Sequence, residues 1–228
     1  MNDFTAEGNT MYKPILFNTQ MVRAILKGQK TQTRRIAKVL NGLESRTDGL
    51  APEHFAFFIA PLSGLLYWKD IERQVKIDGK LVRPPYDPGD ILWVRETWDR
   101  PSRGPFYYKA DGDRRAKRPG RNPWKPSIHM PKEAARIFLR VTNVRIQRLQ
   151  EISGKDVLAE GVDNGESNPT MGMRWENMQR IAFSELWDGT VDPSEIEKYG
   201  WRGNPWVWVI EFECCDRPSD WLSKGGSK

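Results

Sequence analysis

Apolar positions along this chain change period several times, and each change marks an element. Lys13-Pro14-Ile15-Leu16-Phe17 is a short run with strand character. Val22, Ile25 and Leu26 then recur at helical spacing behind Asn18 or Thr19, either of which can cap a helix, and Gly28 ends it. Gly28 to Arg35 reads as a polar turn leading out of that helix. Pro88-Gly89-Asp90 opens a strand, Ile91-Leu92-Trp93-Val94-Arg95, and Phe106-Tyr107-Tyr108 is another. Arg136 to Ile146 predicts a long strand carrying Ile137, Leu139, Val141 and Val144, with an interruption near Asn143. Ser153-x-x-Asp156 starts a short helix through Val157, Leu158 and Ala159 that stops before Gly161. From Trp175 to Trp187, apolar residues at 175, 178, 181, 182 and 186 repeat with a helical period. Trp206, Trp208, Ile210 and Phe212 alternate against Val207, Val209 and Glu211, which predicts a closing strand.

Between these elements lie stretches without periodicity. Residues 1–11 are polar and expected to fray. Residues 41–88 read as an insertion. It contains a hairpin in which Val75-Lys76-Ile77 and Leu81-Val82 flank the turn pair Asp78-Gly79. Residues 110–127 form a basic, Pro-rich loop. No internal repeat is visible. A chain of 228 residues corresponds to roughly one or two domains at ~150 residues each. Scattered strands with two or three helices predict one α+β domain, a small β-barrel with covering helices. That domain spans 12–213, with insertions at about 41–82 and 109–130 and a C-terminal tail at 214–228.

Charge sharpens this outline. The net charge is +6 and is unevenly spread. Segment 23–38 holds six basic residues and no acid. Segment 109–136 holds nine basic residues against Asp111, Asp113 and Glu133. Segment 151–200 carries eleven acids against Lys155, Arg174, Arg180 and Lys198. Basic blocks interleaved with aromatics suit nucleic acid, and a solvated face is the plainer reading. The ten tryptophans suit either core packing or base stacking. The two cysteines, Cys214 and Cys215, are adjacent and expected to stay free thiols in a reducing cytosol. With two histidines and no spaced cysteine pair, a zinc site is not expected, nor is any other metal or cofactor. The N-terminus lacks a signal-peptide pattern, and no run reaches the roughly 18 apolar residues of a membrane span.

Three positions carry candidate chemistry. Lys30 and Thr33 lie three residues apart in an acid-free segment beside Arg34 and Arg35. A threonine hydroxyl attacks only if a base takes its proton. A lysine serves as that base when burial or neighbouring cations lower its pKa. A basic turn that binds phosphate or solvent fits the same spacing. Glu160 closes the short helix at a C-terminus, where a carboxylate is electrostatically disfavoured, and an acid so placed is a candidate proton shuttle. A surface glutamate fits equally. His129, in a Pro-rich turn, is either a structural hydrogen bonder or a catalyst. Neither a phosphate-binding P-loop nor a dinucleotide fingerprint is present.

These residues resemble a known family. Gly28-x-Lys30-x-x-Thr33-x-Arg35 is similar to the Gly-x-Lys-x-x-Glu-x-Arg signature of ASCH domains, relatives of the PUA RNA-binding fold. Pro88-Gly89-Asp90 with the following strand resembles the family's Gly-Asp strand entry. Arg95-Glu96-Thr97-Trp98, Tyr108-Lys109-Ala110-Asp111 and the block from Trp124 to Pro131 resemble its longer, phage- and prophage-associated branch. So does Leu149-Gln150-x-Ile152-Ser153 leading to Ala159-Glu160-Gly161. The resemblance covers roughly 13–213, apart from 41–82. It implies a PUA-like small β-barrel with helices and inserted loops around a cleft.

The chain departs from the signature at Thr33, where the family has Glu. Small bacterial ASCH proteins similar at Lys30 and Thr33 are amidohydrolases that deacetylate N4-acetylcytidine. The resemblance therefore implies a catalytic set of Lys30, Thr33 and Glu160 without metal. It leaves open whether Thr33 attacks or Lys30 and Glu160 activate water. It implies substrate contacts from Arg34, Arg35, Arg95, Glu96, Trp98, Tyr108, Lys109, Trp124, Ser127 and His129. The alternative it allows is a non-catalytic RNA-binding module of phage origin that uses the basic segment 109–136.

Overall fold

The structure is a computed structural model that describes residues 11–38, 41, 76–77, 80–81, 84–102, 104–112, 123–162 and 173–222. Most of the 41–82 insertion, the middle of the basic loop and both chain ends lie outside the described residues. The described chain is mixed α+β. Its strands are β1 (Tyr12–Leu16), β2 (Gln32–Ile36), β3 (Lys76–Ile77), β4 (Lys80–Leu81), β5 (Ile91–Arg95), β6 (Trp98–Asp99), β7 (Tyr107–Tyr108), β8 (Phe138–Arg148) and β9 (Trp206–Cys215). Its α-helices are α1 (Thr19–Leu26), α2 (Gly154–Ala159), α3 (Met173–Asp188) and α4 (Ile196–Tyr199).

A five-stranded sheet has the order β1-β5-β8-β9-β2. The expected barrel is not closed among the described residues. Pro14 supplies a reason at the β1 end: it has no N–H for a further ladder, so β1 suits an edge. The chain divides into two compact units, one of residues 1–29, 89–142 and 212–228, the other of residues 30–88 and 143–211.

In the first unit, β1 pairs in parallel with β5, and β5 pairs antiparallel with β8. α1 starts at Asn18, whose side chain accepts from the Met21 amide at 2.9 Å. It ends at Gly28 with φ +71°, a conformation that favours glycine. Ile91, Met130, Phe138 and Trp221 form this unit's core. Trp221 meets Tyr12, Trp93 and Phe138 edge-on, with ring centroids 5.1–5.6 Å apart. Residues 214–222, expected as tail, therefore add the end of β9 and a buried indole. One Trp at that position outweighs the polar sequence around it.

In the second unit, β2 pairs antiparallel with β9, from Gln32↔Glu211 to Ile36↔Val207. The polar turn expected after Gly28 is a strand here, because β9 supplies a ladder partner that no local sequence signal announces. β9 is buried on both faces from Trp206 to Ile210, as befits an inner strand. β8 passes through Asn143 without the expected interruption. α2 opens on the predicted capping box: the Asp156 amide donates to Ser153 Oγ at 3.1 Å, and the Ser153 amide donates to the Asp156 carboxylate at 3.1 Å. α3 keeps the predicted period but turns a different face inward. Trp175, Gln179, Phe183 and Trp187 are buried, and Ile181 is exposed. The larger aromatic area decides the rotation. Phe183 and Trp187 pack with Leu149, Val157, Tyr199, Val207 and Val209 into the core behind β2 and α2.

The hairpin expected at 75–82 pairs Lys76 with Leu81 and Ile77 with Lys80, while its turn lies outside the described residues. Trp98, Trp175, Trp187, Trp206, Trp208 and Trp221 are buried, which favours core packing over stacking for these six. Among the described residues no helix is long and apolar enough to cross a membrane.

Candidate functional site

The end of α2 and the start of β2 meet in the second unit. An isolated antiparallel bridge joins Lys30 to Glu160, and the Thr31 amide donates to the Ala159 carbonyl at 2.8 Å. Gly161, with φ +79°, turns the chain away immediately afterwards. The two candidate residues are thus fixed by backbone before their side chains meet.

Lys30 Nζ donates to three oxygens at 2.8 Å each: Glu160 Oε2, the Glu160 carbonyl and the Gln32 carbonyl. Three acceptors match the three protons of an ammonium. Glu160 Oε1 accepts from Arg34 NH1 at 3.0 Å, so one buried carboxylate serves two buried cations. Burial lowers the Lys30 pKa, and Arg35 and Arg34 lower it further. Glu160 opposes them by charge and hydrogen bond, and the net direction is downward.

Thr33 is buried on β2, between Gln32 and Arg34. Lys30 Nζ sits on the Gln32 carbonyl, which is one peptide unit from Thr33. Strand alternation puts the Gln32 and Arg34 side chains on one face and those of Thr33 and Arg35 on the other. Arg35 lies within electrostatic reach of Tyr86 and Glu160, and burial draws its pKa down. Arg34, expected as a substrate contact, donates to Glu160 and Gln147 and pairs with Asp156.

Asp156 is a residue that sequence reasoning assigned only to helix capping. It accepts from Gln32 Nε2 at 3.2 Å and pairs with Arg34 at 3.5 Å and Arg145 at 3.4 Å. Burial works to raise its pKa, but the Ser153 amide, Arg34, the Ser153 hydroxyl and Gln32 hold it below the ordinary carboxylate value. A sequence signal for it exists. Asp156 and Glu160 are four apart on one short helix, which presents two carboxylates on one face.

The other expected contacts belong to the first unit and form groups of their own. Glu96 is fully buried and accepts two bonds from Arg136, at 2.8 and 3.0 Å. Arg136 also pairs with Asp111 at 2.8 Å and stacks 3.9 Å from the Tyr108 ring centre. Burial raises the Glu96 pKa against the pull of Arg136. Trp98 lies under Lys125 Nζ, 4.7 Å from its ring centre, and beside Phe106. Arg95 donates to the Ile128 carbonyl and covers Trp93. The Lys109 carbonyl accepts from Arg23 at 3.3 Å. Trp124 and Ser127 are half-buried, and His129 is exposed. Among the described residues no three His, Cys, Asp or Glu side chains converge as metal ligands would.

No family model matches the chain, and no curated protein matches it. Among solved structures, the chain is similar to one described as the high-resolution crystal structure of an ASCH domain from Lactobacillus crispatus JV V101. The identity is 12%, with 91% of this chain and 81% of that chain covered and a TM-score of 0.35.

Proposed function

We propose that this chain is an ASCH-type amidohydrolase of PUA-like fold that removes the acyl group from N4-acylated cytosine, in a nucleoside or in nucleic acid. The observation that carries the proposal is the buried Lys30–Glu160 pair, bridged just before the strand that holds Thr33. A lysine poised below its ordinary pKa next to a carboxylate can exchange one proton within the pair. Lys30 Nζ passes a proton to Glu160 Oε2. The neutral amine then takes the Thr33 hydroxyl proton while Thr33 Oγ attacks the acyl carbon. The C–N4 bond breaks, and Glu160 protonates the leaving exocyclic nitrogen. Lys30 passes its proton to Glu160 Oε2 a second time, the neutral amine deprotonates water as it attacks the acyl-threonine, and Glu160 returns its proton to the Thr33 oxygen as the carboxylic acid leaves. Removal of Lys30 as base lowers the rate roughly 100- to 10,000-fold. The free thiols Cys214 and Cys215 suit a reducing cytosol for this reaction, in a bacterium or a phage-infected cell.

A second reading, RNA binding without catalysis, is favoured by the first unit. Arg100 lies over Phe106 at 4.6 Å and Lys125 over Trp98 at 4.7 Å, a row of cations on aromatic rings. One experiment separates the two. Purified protein is mixed with N4-acetylcytidine, with and without chelator, and the ultraviolet conversion to cytidine is followed. Chelator-insensitive turnover supports the enzyme. Absence of turnover, together with RNA binding that weakens as salt rises, supports the module instead.

A further inference from the structure

The ion pairs of the second unit continue past the Lys30–Glu160 pair. Glu160 pairs with Arg34 at 3.0 Å, Arg34 with Asp156 at 3.5 Å, Asp156 with Arg145 at 3.4 Å, and Arg145 with Glu211. Cation and carboxylate alternate through all six residues. Side-chain exposure along the series is 0, 5, 1, 23, 24 and 36%, so the series runs from the interior outward.

Asp156 is the junction in this series. Its carboxylate belongs to the capping box that starts α2, and Glu160 is the C-cap of the same helix. It accepts from the Gln32 side chain, and the Gln32 carbonyl accepts from Lys30. It also draws one side of the Arg34 guanidinium, leaving NH1 for Glu160. Arg34 Nε is buried without a hydrogen-bond partner, so this guanidinium is held through its two terminal nitrogens alone. If Asp156 were neutral, Glu160 would be the one carboxylate still paired with Arg34. Arg34 would then claim a larger share of Glu160 at the expense of Lys30.

We propose that Asp156 is a positioning residue that acts through Arg34 and Gln32 to set how much of the Glu160 charge is left for Lys30. Through this it sets the proton affinity of Lys30 and the pH above which the pair has lost the proton that hydrolysis uses. The catalytic half of this statement rests on the amidohydrolase reading, and the proton-affinity half does not. The groups that reach Lys30 are Glu160 and the Gln32 carbonyl by hydrogen bond and Arg34 and Arg35 by charge; Asp156, Gln147, Arg145 and Glu211 follow beyond Arg34 along the ion-pair series. Asp156 and Arg145 change the balance through Arg34, without touching Lys30 or Glu160.

The test is a pH titration of the lysine side-chain 13Cε signals of the full chain, with Lys30 assigned by its loss in Lys30→Met. In Asp156→Asn the Lys30 midpoint should fall by on the order of one pH unit, a tenfold loss of proton affinity. In Arg145→Gln, where Asp156 keeps more charge for Arg34, it should rise. Asp156→Glu should return it toward the wild-type value. The alkaline limb of the kcat profile on N4-acetylcytidine should move with each. A structural defect alone would lower Tm without moving these midpoints in opposite directions. If Asp156→Asn does not fold, Arg145→Gln carries the test by itself. An unmoved Lys30 midpoint in the folded variants overturns the proposal. If the wild type shows no turnover but the midpoints shift as stated, the amidohydrolase reading fails and the positioning role of Asp156 stands.

Discussion

Lys30 and Glu160, 130 residues apart in sequence, are joined twice: Lys30 Nζ lies 2.8 Å from the Glu160 carboxylate and 2.8 Å from the Glu160 carbonyl. The second bond matters as much as the first. It holds the amine at the C-terminal end of α2, where carbonyls point outward and favour a cation. The pair is therefore locked to backbone on one side and shared with Arg34 on the other.

Glu160→Gln removes the one carboxylate common to two buried cations. Breaking a buried pair by deleting one partner costs about 3–5 kcal/mol. Urea denaturation should show a loss of that size, with hydrolysis abolished. A loss below about 1 kcal/mol would mean that Lys30 and Arg34 find other partners.

The lowered Lys30 pKa fixes the sign of a pH effect. Between its folded value and the ordinary 10.5, the unfolded chain binds the extra proton, so the Lys30 contribution to stability rises with pH across that window. Unfolding free energies of wild type and Lys30→Met, measured from pH 7 to 10.5, should diverge in favour of the wild type as pH increases. A difference that stays flat would contradict the shift.

Tyr12 behaves in the opposite sense. Burial, with the Asp220 carboxylate accepting its hydroxyl proton, pushes its pKa up to about 12. A raised folded value means that this contribution is complete below the ordinary pKa of 10 and is lost as pH climbs toward about 12. Phenolate absorbance should show one tyrosine titrating late. Asp220→Asn should bring that midpoint down, and Tyr12→Phe should remove it.

Much of this fold is legible in the sequence where the cause is local. The Asn18 cap and Gly28 stop of α1, the Ser153/Asp156 box of α2 and the strand after Pro88-Gly89 all act within a few residues. What was not legible depends on distant partners. β2 looks like a turn until β9 pairs with it. α3 shows its period but not which face wins, because that depends on what Phe183 and Trp187 pack against. The same division holds at the site. Lys30, Thr33 and Glu160 can be picked out by motif, whereas the commitment of Arg34 to Glu160 and Asp156 needs α2 and β2 side by side.

The first unit offers an independent check on buried charge. Arg136 is the guanidinium that faces the fully buried Glu96, and it also stacks on Tyr108. Arg136→Met should destabilise the protein by about 3–5 kcal/mol. Arg136→Lys keeps the charge but loses the two-pronged geometry and the stacking, so it should recover only part of that loss. Full recovery by lysine would show that charge alone holds Glu96.

The most direct test of the central claim is the rate of N4-acetylcytidine hydrolysis by Thr33→Val beside wild type, with Tm recorded for both. Valine keeps the shape and strand preference of threonine but has no hydroxyl. The account predicts measurable turnover by wild type and a loss of roughly a thousandfold or more in kcat for the folded variant. A folded Thr33→Val that turns over at the wild-type rate would contradict Thr33 as the attacking group.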